Sequence, residues 1–265
     1  MPQIQVNDIA INYQLEGPAQ GPVVMLAHSL AADLRMWDPQ IDSLITAGYR
    51  VLRYDTRGHG ASDVPMGPYT MDQLAGDAVG LMDALDLNSV HFCGLSMGGM
   101  VGQLLGGQFA NRLRSLILCS TSAHMPPGQM WDERIALVRE KGLAALVDAT
   151  IDRWFTKSGQ QRLPEAVEKI RKVYIDTSAD GFCACCAAIR DMDMRDIIPG
   201  IVTPTLILVG EHDEGTPVSH AEQIRDRIHM SKLVVVAGAA HLQNIEQQSV
   251  FDKIVLAFLS ENGRG

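Results

Sequence analysis

A chain of 265 residues, 46% of them hydrophobic, is long enough to bury a full core and has the size of one α/β domain carrying an insertion. Its 22 Lys and Arg against 31 Asp and Glu give a net charge of -9, and no basic cluster follows a phosphate backbone, which argues against nucleic acid as a partner. No N-terminal basic segment leads into an apolar stretch, and no apolar run approaches the ~20 residues that span a bilayer, so a cytoplasmic protein without a membrane partner is expected.

From Ile4 to Glu16 apolar residues alternate around a break at Asn7-Asp8, which predicts an antiparallel hairpin. Strands and helices then take turns. Val23 to Ala27 is a continuous apolar run, as for a strand buried on both faces, and Trp37 to Ala47 has helical spacing ending at Gly48. Arg50 to Tyr54 is the next strand. Met71 to Leu87 places Leu74, Ala78, Leu81, Met82 and Leu85 on one helical face, Val90 to Cys93 is a strand, and Met97 to Phe109 a helix.

After the strand Leu116 to Cys119 the alternation stops until Thr205 to Val209. The interval 122–199 is therefore expected to form a helical cap, with 1–121 and 200–265 as the core. Trp131 to Lys141, Leu143 to Phe155, Pro164 to Thr177 and Gly181 to Arg190 look helical within it. The core pattern resumes with a helix from Val218 to Ile228, a strand from Leu233 to Val236 and a helix from Val250 to Leu259. Such a pattern predicts a mostly parallel, doubly wound sheet whose ligand sites lie at the carboxyl ends of the strands.

The five cysteines do not suggest a disulfide framework, and Cys183-Ala184-Cys185-Cys186 lacks the second ligand pair that a zinc site needs, so packing is the expected role. No glycine-rich dinucleotide fingerprint appears, and cofactor-free chemistry is expected.

Gly94-Leu95-Ser96-Met97-Gly98 follows a strand and opens a helix, the context of a nucleophile elbow. Flanking glycines permit a sharp turn with a strained residue at its apex, and the following helix aims N–H groups and its positive dipole end at the same place. Ser96 is thus the candidate nucleophile, and Met97 N–H a candidate oxyanion donor. A serine hydroxyl needs a base and a carboxylate to orient that base. Asp213 follows the strand Thr205 to Val209, with Glu211 and Glu214 as competitors, and Pro217 is placed to start the next helix. His241 follows the last strand as the expected base, and Asn244 is placed to cap the final helix. His28 and His59 are expected to be structural, His212 a loop residue, and His91, His124, His220 and His229 surface or packing residues. The second oxyanion donor is expected in the loop after His28: Leu30 N–H, with Ser29 as the alternative.

With these residues placed, the chain resembles the α/β-hydrolase superfamily over nearly all its length, and within it the 3-oxoadipate enol-lactonases. The resemblance is carried by His28-Ser29-Leu30 through Gln40, Tyr54-Asp55-Thr56-Arg57-Gly58-His59-Gly60, the segment Gly94 to Met100, Arg153-Trp154-Phe155, Ala187-Ala188-Ile189-Arg190-Asp191 and His241 to Gln247. The chain departs from that family at Ala31-Ala32 and at Glu214. The resemblance implies hydrolytic opening of an enol-lactone to 3-oxoadipate, in aromatic catabolism, with the small lactone and water as partners. That substrate carries a carboxylate, for which Arg190, Arg153 and Arg35 are the candidate cations, and Trp131 and Trp154 are candidate pocket walls or packing residues. A broad carboxylesterase with perhydrolase activity uses the same residues, and a slow-turnover ligand sensor is the remaining alternative.

Overall fold

The computed structural model describes residues 2–263. Eight strands form one sheet in the order β1-β2-β4-β3-β5-β6-β7-β8: β1 (Gln3–Val6), β2 (Ile9–Glu16), β3 (Val23–Ala27), β4 (Arg50–Tyr54), β5 (Val90–Leu95), β6 (Leu113–Cys119), β7 (Thr205–Gly210) and β8 (Ser231–Val236). The β1–β2 and β2–β4 pairs are antiparallel, the remainder parallel. Every residue of β3, β5 and β7 is buried, which is why their sequences run apolar without alternation.

Flanking the sheet are α1 (Ile41–Thr46), α2 (Met71–Ala84), α3 (Met97–Gln108) and, after an insertion, the closing helices. The insertion between β6 and β7 holds α4 (Gly128–Lys141), α5 (Val147–Trp154), α6 (Lys157–Arg162), α7 (Pro164–Asp176) and α8 (Ala179–Asp191); the closing helices are α9 (Val218–Arg225), α10 (Gln243–Glu246) and α11 (Gln248–Asn262). Local signals set several starts. Thr70 and Gln73 form a capping box at α2, Thr156 and Ser178 accept the N–H groups of Gly159 and Gly181 at α6 and α8, and Pro164 opens α7. Helix α3 packs on β5 and β6, α11 on β6 and α1, and α9 on β7 and β8.

Four expectations need correction. The helix expected over Trp37–Ala47 is a 3-10 turn, Leu34–Gln40, followed by the short α1, because Asp33 caps the chain earlier and Pro39 falls inside the turn. The helix expected over Leu143–Phe155 is likewise a 3-10 turn, Leu143–Ala145, and then α5. Pro217 is the extended N-cap of α9 and not its first helical residue. Asn244 lies inside α10, and its amide donates to Met36 O and Gln40 Oε1, both at 3.1 Å, instead of capping α11.

The five cysteines are free and buried, Cys183, Cys185 and Cys186 on α8 among them. No helix among the described residues is long and apolar enough to cross a membrane.

Candidate active site

Ser96 sits at the end of β5 with φ 57° and ψ -113°, the strained conformation of an elbow apex. Its glycines are required by space: a Cβ on Gly94 would stand 2.1 Å from Gly98 O, and one on Gly98 2.2 Å from Ala27 O. The Ser96 backbone is fixed on both sides, its N–H donating to Cys119 O at 2.9 Å and its carbonyl accepting the Thr121 hydroxyl at 2.8 Å. The Ser96 side chain does not cap α3, so its hydroxyl faces a cavity of about 190 Å3.

His241 lines the same cavity from the loop after β8, and its Nδ1 lies 2.9 Å from Asp213 Oδ2, after β7. Both residues are buried. Asp213 is further held by the N–H groups of Gly215 (2.9 Å) and Thr216 (3.0 Å) and by the Thr216 hydroxyl (2.9 Å). Burial pushes the Asp213 carboxyl up, but His241 and the Thr216 donors outweigh it and hold the group below the usual carboxylate value. Of the competing carboxylates, Glu211 accepts Gly238 N–H at 2.9 Å, and Glu214 is an exposed residue at the cavity wall. Such an arrangement offers an imidazole whose Nδ1 is oriented by a carboxylate, leaving Nε2 to exchange a proton within the cavity.

The loop after β3 is set by two imidazoles. His28 Nε2 accepts Thr56 N–H and His59 Nε2 accepts Ala31 N–H, both at 3.0 Å, so each ring serves as a structural acceptor. Burial, then the neighbouring His28, lowers the His59 pKa to about 3, which keeps that ring neutral. Ala32 N–H donates to Ser29 O and Gly98 N–H to His28 O. Among the described residues the N–H groups of Leu30 and Met97 are left uncommitted beside Ser96, while Ser29 enters the wall alongside Leu30.

The insertion closes the cavity with Trp131 and Arg134 of α4, Thr150, Arg153 and Trp154 of α5, Tyr174 of α7 and Phe182 and Ile189 of α8. The Arg134 guanidinium stacks 4.8 Å above the Trp131 ring, and Trp131 Nε1 donates to Met125 O at 3.0 Å. Arg134 and Arg153 are half-buried, and neither has a carboxylate within 4.0 Å among the described residues. Burial, and after it the charge of Arg134, lowers the Arg153 pKa from its ordinary value. Two cations therefore share one wall.

Two expected cations are not there. Arg190 faces a separate cleft, where Asp132 (2.6 Å) and Asp191 (2.7 Å) neutralise it, and Arg35 is bound by Asp33 at 2.5 Å. Arg134, Thr216 and Tyr174 were missed from the sequence. Arg134 follows Trp131 by three residues on a helix, a spacing that places both on one face and could have found it.

Residues 22–141 match the family model described as alpha/beta hydrolase fold, and residues 172–264 the one described as TAP-like protein. The chain is 38% identical over 256 residues to the 3-oxoadipate enol-lactonase 2 of Acinetobacter baylyi, covering 97% of this chain and 95% of that one. The crystal structure of the enol-lactonase from Burkholderia xenovorans superposes with a TM-score of 0.95 at 39% identity, over 98% of this chain and 100% of that one. A thermophilic esterase from Thermogutta terrifontis superposes with a TM-score of 0.92 at 29% identity, over 98% and 99%. The chain thus belongs to the α/β-hydrolase superfamily, within it to the family of the 3-oxoadipate enol-lactonases, and is a carboxylic ester hydrolase.

Proposed function

We propose that the protein opens 3-oxoadipate enol-lactone, a lactone bearing a free carboxylate, through an acyl-enzyme on Ser96. The observation that carries this reading is one small cavity that joins Ser96 and His241 to the guanidinium groups of Arg134 and Arg153, neither of which has a carboxylate within 4.0 Å among the described residues. A neutral ester does not call for two cations; a carboxylate does, through charge-assisted and bidentate hydrogen bonds.

In the reaction His241 takes the Ser96 proton as Oγ attacks the lactone carbonyl, and the oxyanion is received by the Leu30 and Met97 N–H groups. Asp213 stabilises the imidazolium without taking its proton. Collapse breaks the acyl–oxygen bond of the ring, and His241 protonates the departing enol oxygen. Because acyl and leaving groups belong to one ring, the opened chain stays on Ser96. His241 then deprotonates water as it attacks the acyl carbon, the acyl–Oγ bond breaks, His241 returns the proton to Ser96 Oγ, the second carboxylate is released, and the enol becomes the ketone. Trp131 and Trp154 wall the ring, and the insertion 122–199 acts as the cap that excludes bulk water. The likeness to the enol-lactonases supports a place in the cytoplasmic breakdown of aromatic compounds.

The experiment is kcat/KM for the enol-lactone beside p-nitrophenyl acetate. Preference for the lactone by two orders of magnitude or more, about 3 kcal/mol, is expected. The likeness to the Thermogutta terrifontis esterase favours a broad small-ester hydrolase as the second reading, and equal or better turnover of the acetate would establish it.

A further inference from the structure

Glu246 is 3% exposed, yet it touches neither the cavity nor Ser96. Its carboxylate bridges two distant segments. Oε2 accepts the N–H of Ala240, the residue before His241, at 2.8 Å; Oε1 accepts the Thr156 N–H at 3.0 Å and the Thr156 hydroxyl. The surrounding packing has been cleared for it, because a Cβ on Gly159 would stand 1.9 Å from Oε1. Arg162 at the end of α6 donates to the Glu246 carbonyl at 2.7 Å, and Leu242 N–H donates to Trp154 O at 3.0 Å. Residues 154–162 of the insertion are thereby bonded to the backbone on both sides of His241, while the Trp154 ring stacks on the imidazole.

We propose that Glu246 is a positioning residue that locks the His241 loop to the insertion, so that the imidazole reaches Ser96 only when the helices above it are seated. A carboxylate suits the task because it accepts several donors at once, whereas an amide in its place presents a donor to one of the two backbone N–H groups. Without it Ala240 N–H is buried and unpaired, and the loop bearing His241 shifts. An error of about 1 Å in a reacting group costs up to about 100-fold in rate. The inference rests on His241 as the base of the proposed reaction.

The test compares Glu246→Gln, Thr156→Val and Thr156→Ser by two readouts that need no lactone: kcat and KM for p-nitrophenyl acetate, and the rate of Ser96 phosphonylation by a fluorophosphonate, each normalised to titrated active sites. Glu246→Gln is expected to lower kcat and phosphonylation about tenfold with KM within twofold, since the base and not the binding wall is displaced. Thr156→Val is expected to lose about threefold, Thr156→Ser to recover it, and the Glu246–Thr156 double variant to fall short of the product of the single effects, since the residues touch. Unchanged rates in folded Glu246→Gln would overturn the proposal. Should that variant fail to fold, the Thr156 pair decides: a Thr156→Val rate equal to wild type, or a loss that serine does not recover, overturns it. Failure of the lactone reading leaves these outcomes intact, because the acetate and the fluorophosphonate report on Ser96 and His241 alone.

Discussion

Trp154 lies stacked on His241, their ring centroids 6.3 Å apart and their planes 19° from parallel. The same indole meets Tyr174 edge-on at 5.7 Å, so the imidazole is the lowest member of an aromatic column that descends from the insertion. Trp154→Ala removes the column's middle and is expected to lower kcat/KM about tenfold, whereas Trp154→Phe retains an aromatic face and most of the rate; aromatic pairs of this kind contribute about 1 kcal/mol beyond their buried area. Steady-state kinetics on the enol-lactone checks both.

Arg134 and Arg153 line the cavity, and Arg190 does not. Arg153→Met and Arg134→Met are therefore expected to raise KM for the anionic lactone by about 10- to 100-fold each, the equivalent of about 1.5–3 kcal/mol for a charge-assisted hydrogen bond, and to leave KM for p-nitrophenyl acetate within about twofold. Arg190→Ala, which breaks only the pairs with Asp132 and Asp191, leaves both substrates unaffected.

Thr216 supplies two of the donors on Asp213. Thr216→Val deletes the hydroxyl, lets the Asp213 pKa rise, and removes a constraint on the carboxylate that faces His241 Nδ1. A loss of about tenfold in kcat is expected from the displaced pair, with recovery in Thr216→Ser, where the hydroxyl returns.

Part of the acid stability is expected to rest on His59. Its folded pKa, lowered to about 3 by burial and by His28, lies below that of an unfolded histidine, so between those values the unfolded chain binds the proton that the folded chain refuses. Stability is full above about pH 6.5 and falls with pH below it, by up to about 1.4 kcal/mol per pH unit, until the folded pKa is reached. Protonating Nε2 would also turn the acceptor of Ala31 N–H into a donor and disrupt the loop that carries Leu30. Urea melts at pH 7 and pH 5 measure the loss, and His59→Gln, which can still accept that N–H but does not titrate, is expected to reduce it.

Much of this was legible in the sequence because the signals are local. Continuous apolar runs marked β3, β5 and β7; Gly94 and Gly98 marked the elbow; Asp213 and His241 each follow a strand in the order the fold requires. What was not legible depends on tertiary packing. Arg190 and Arg153 both sit in the last turn of a helix, and only tertiary packing, α8 on α4 and α5 on α7, sends the first to Asp132 and the second to the cavity wall. Helix α6 is a six-residue polar turn with no apolar stripe to announce it. Asn244 reads as a helix cap by type, but its partners Met36 and Gln40 are some 200 residues away. Glu246 has a helical neighbourhood and no motif that reveals a bond to Thr156.

The most direct test of the account is mass spectrometry of enzyme quenched in acid shortly after mixing with the enol-lactone. Ring opening on Ser96 predicts an adduct equal to the mass of the intact lactone, since no fragment departs at the acyl stage, mapped to the peptide containing Ser96 and absent from Ser96→Ala together with turnover. Retained turnover in Ser96→Ala, or an adduct on another residue, would contradict it.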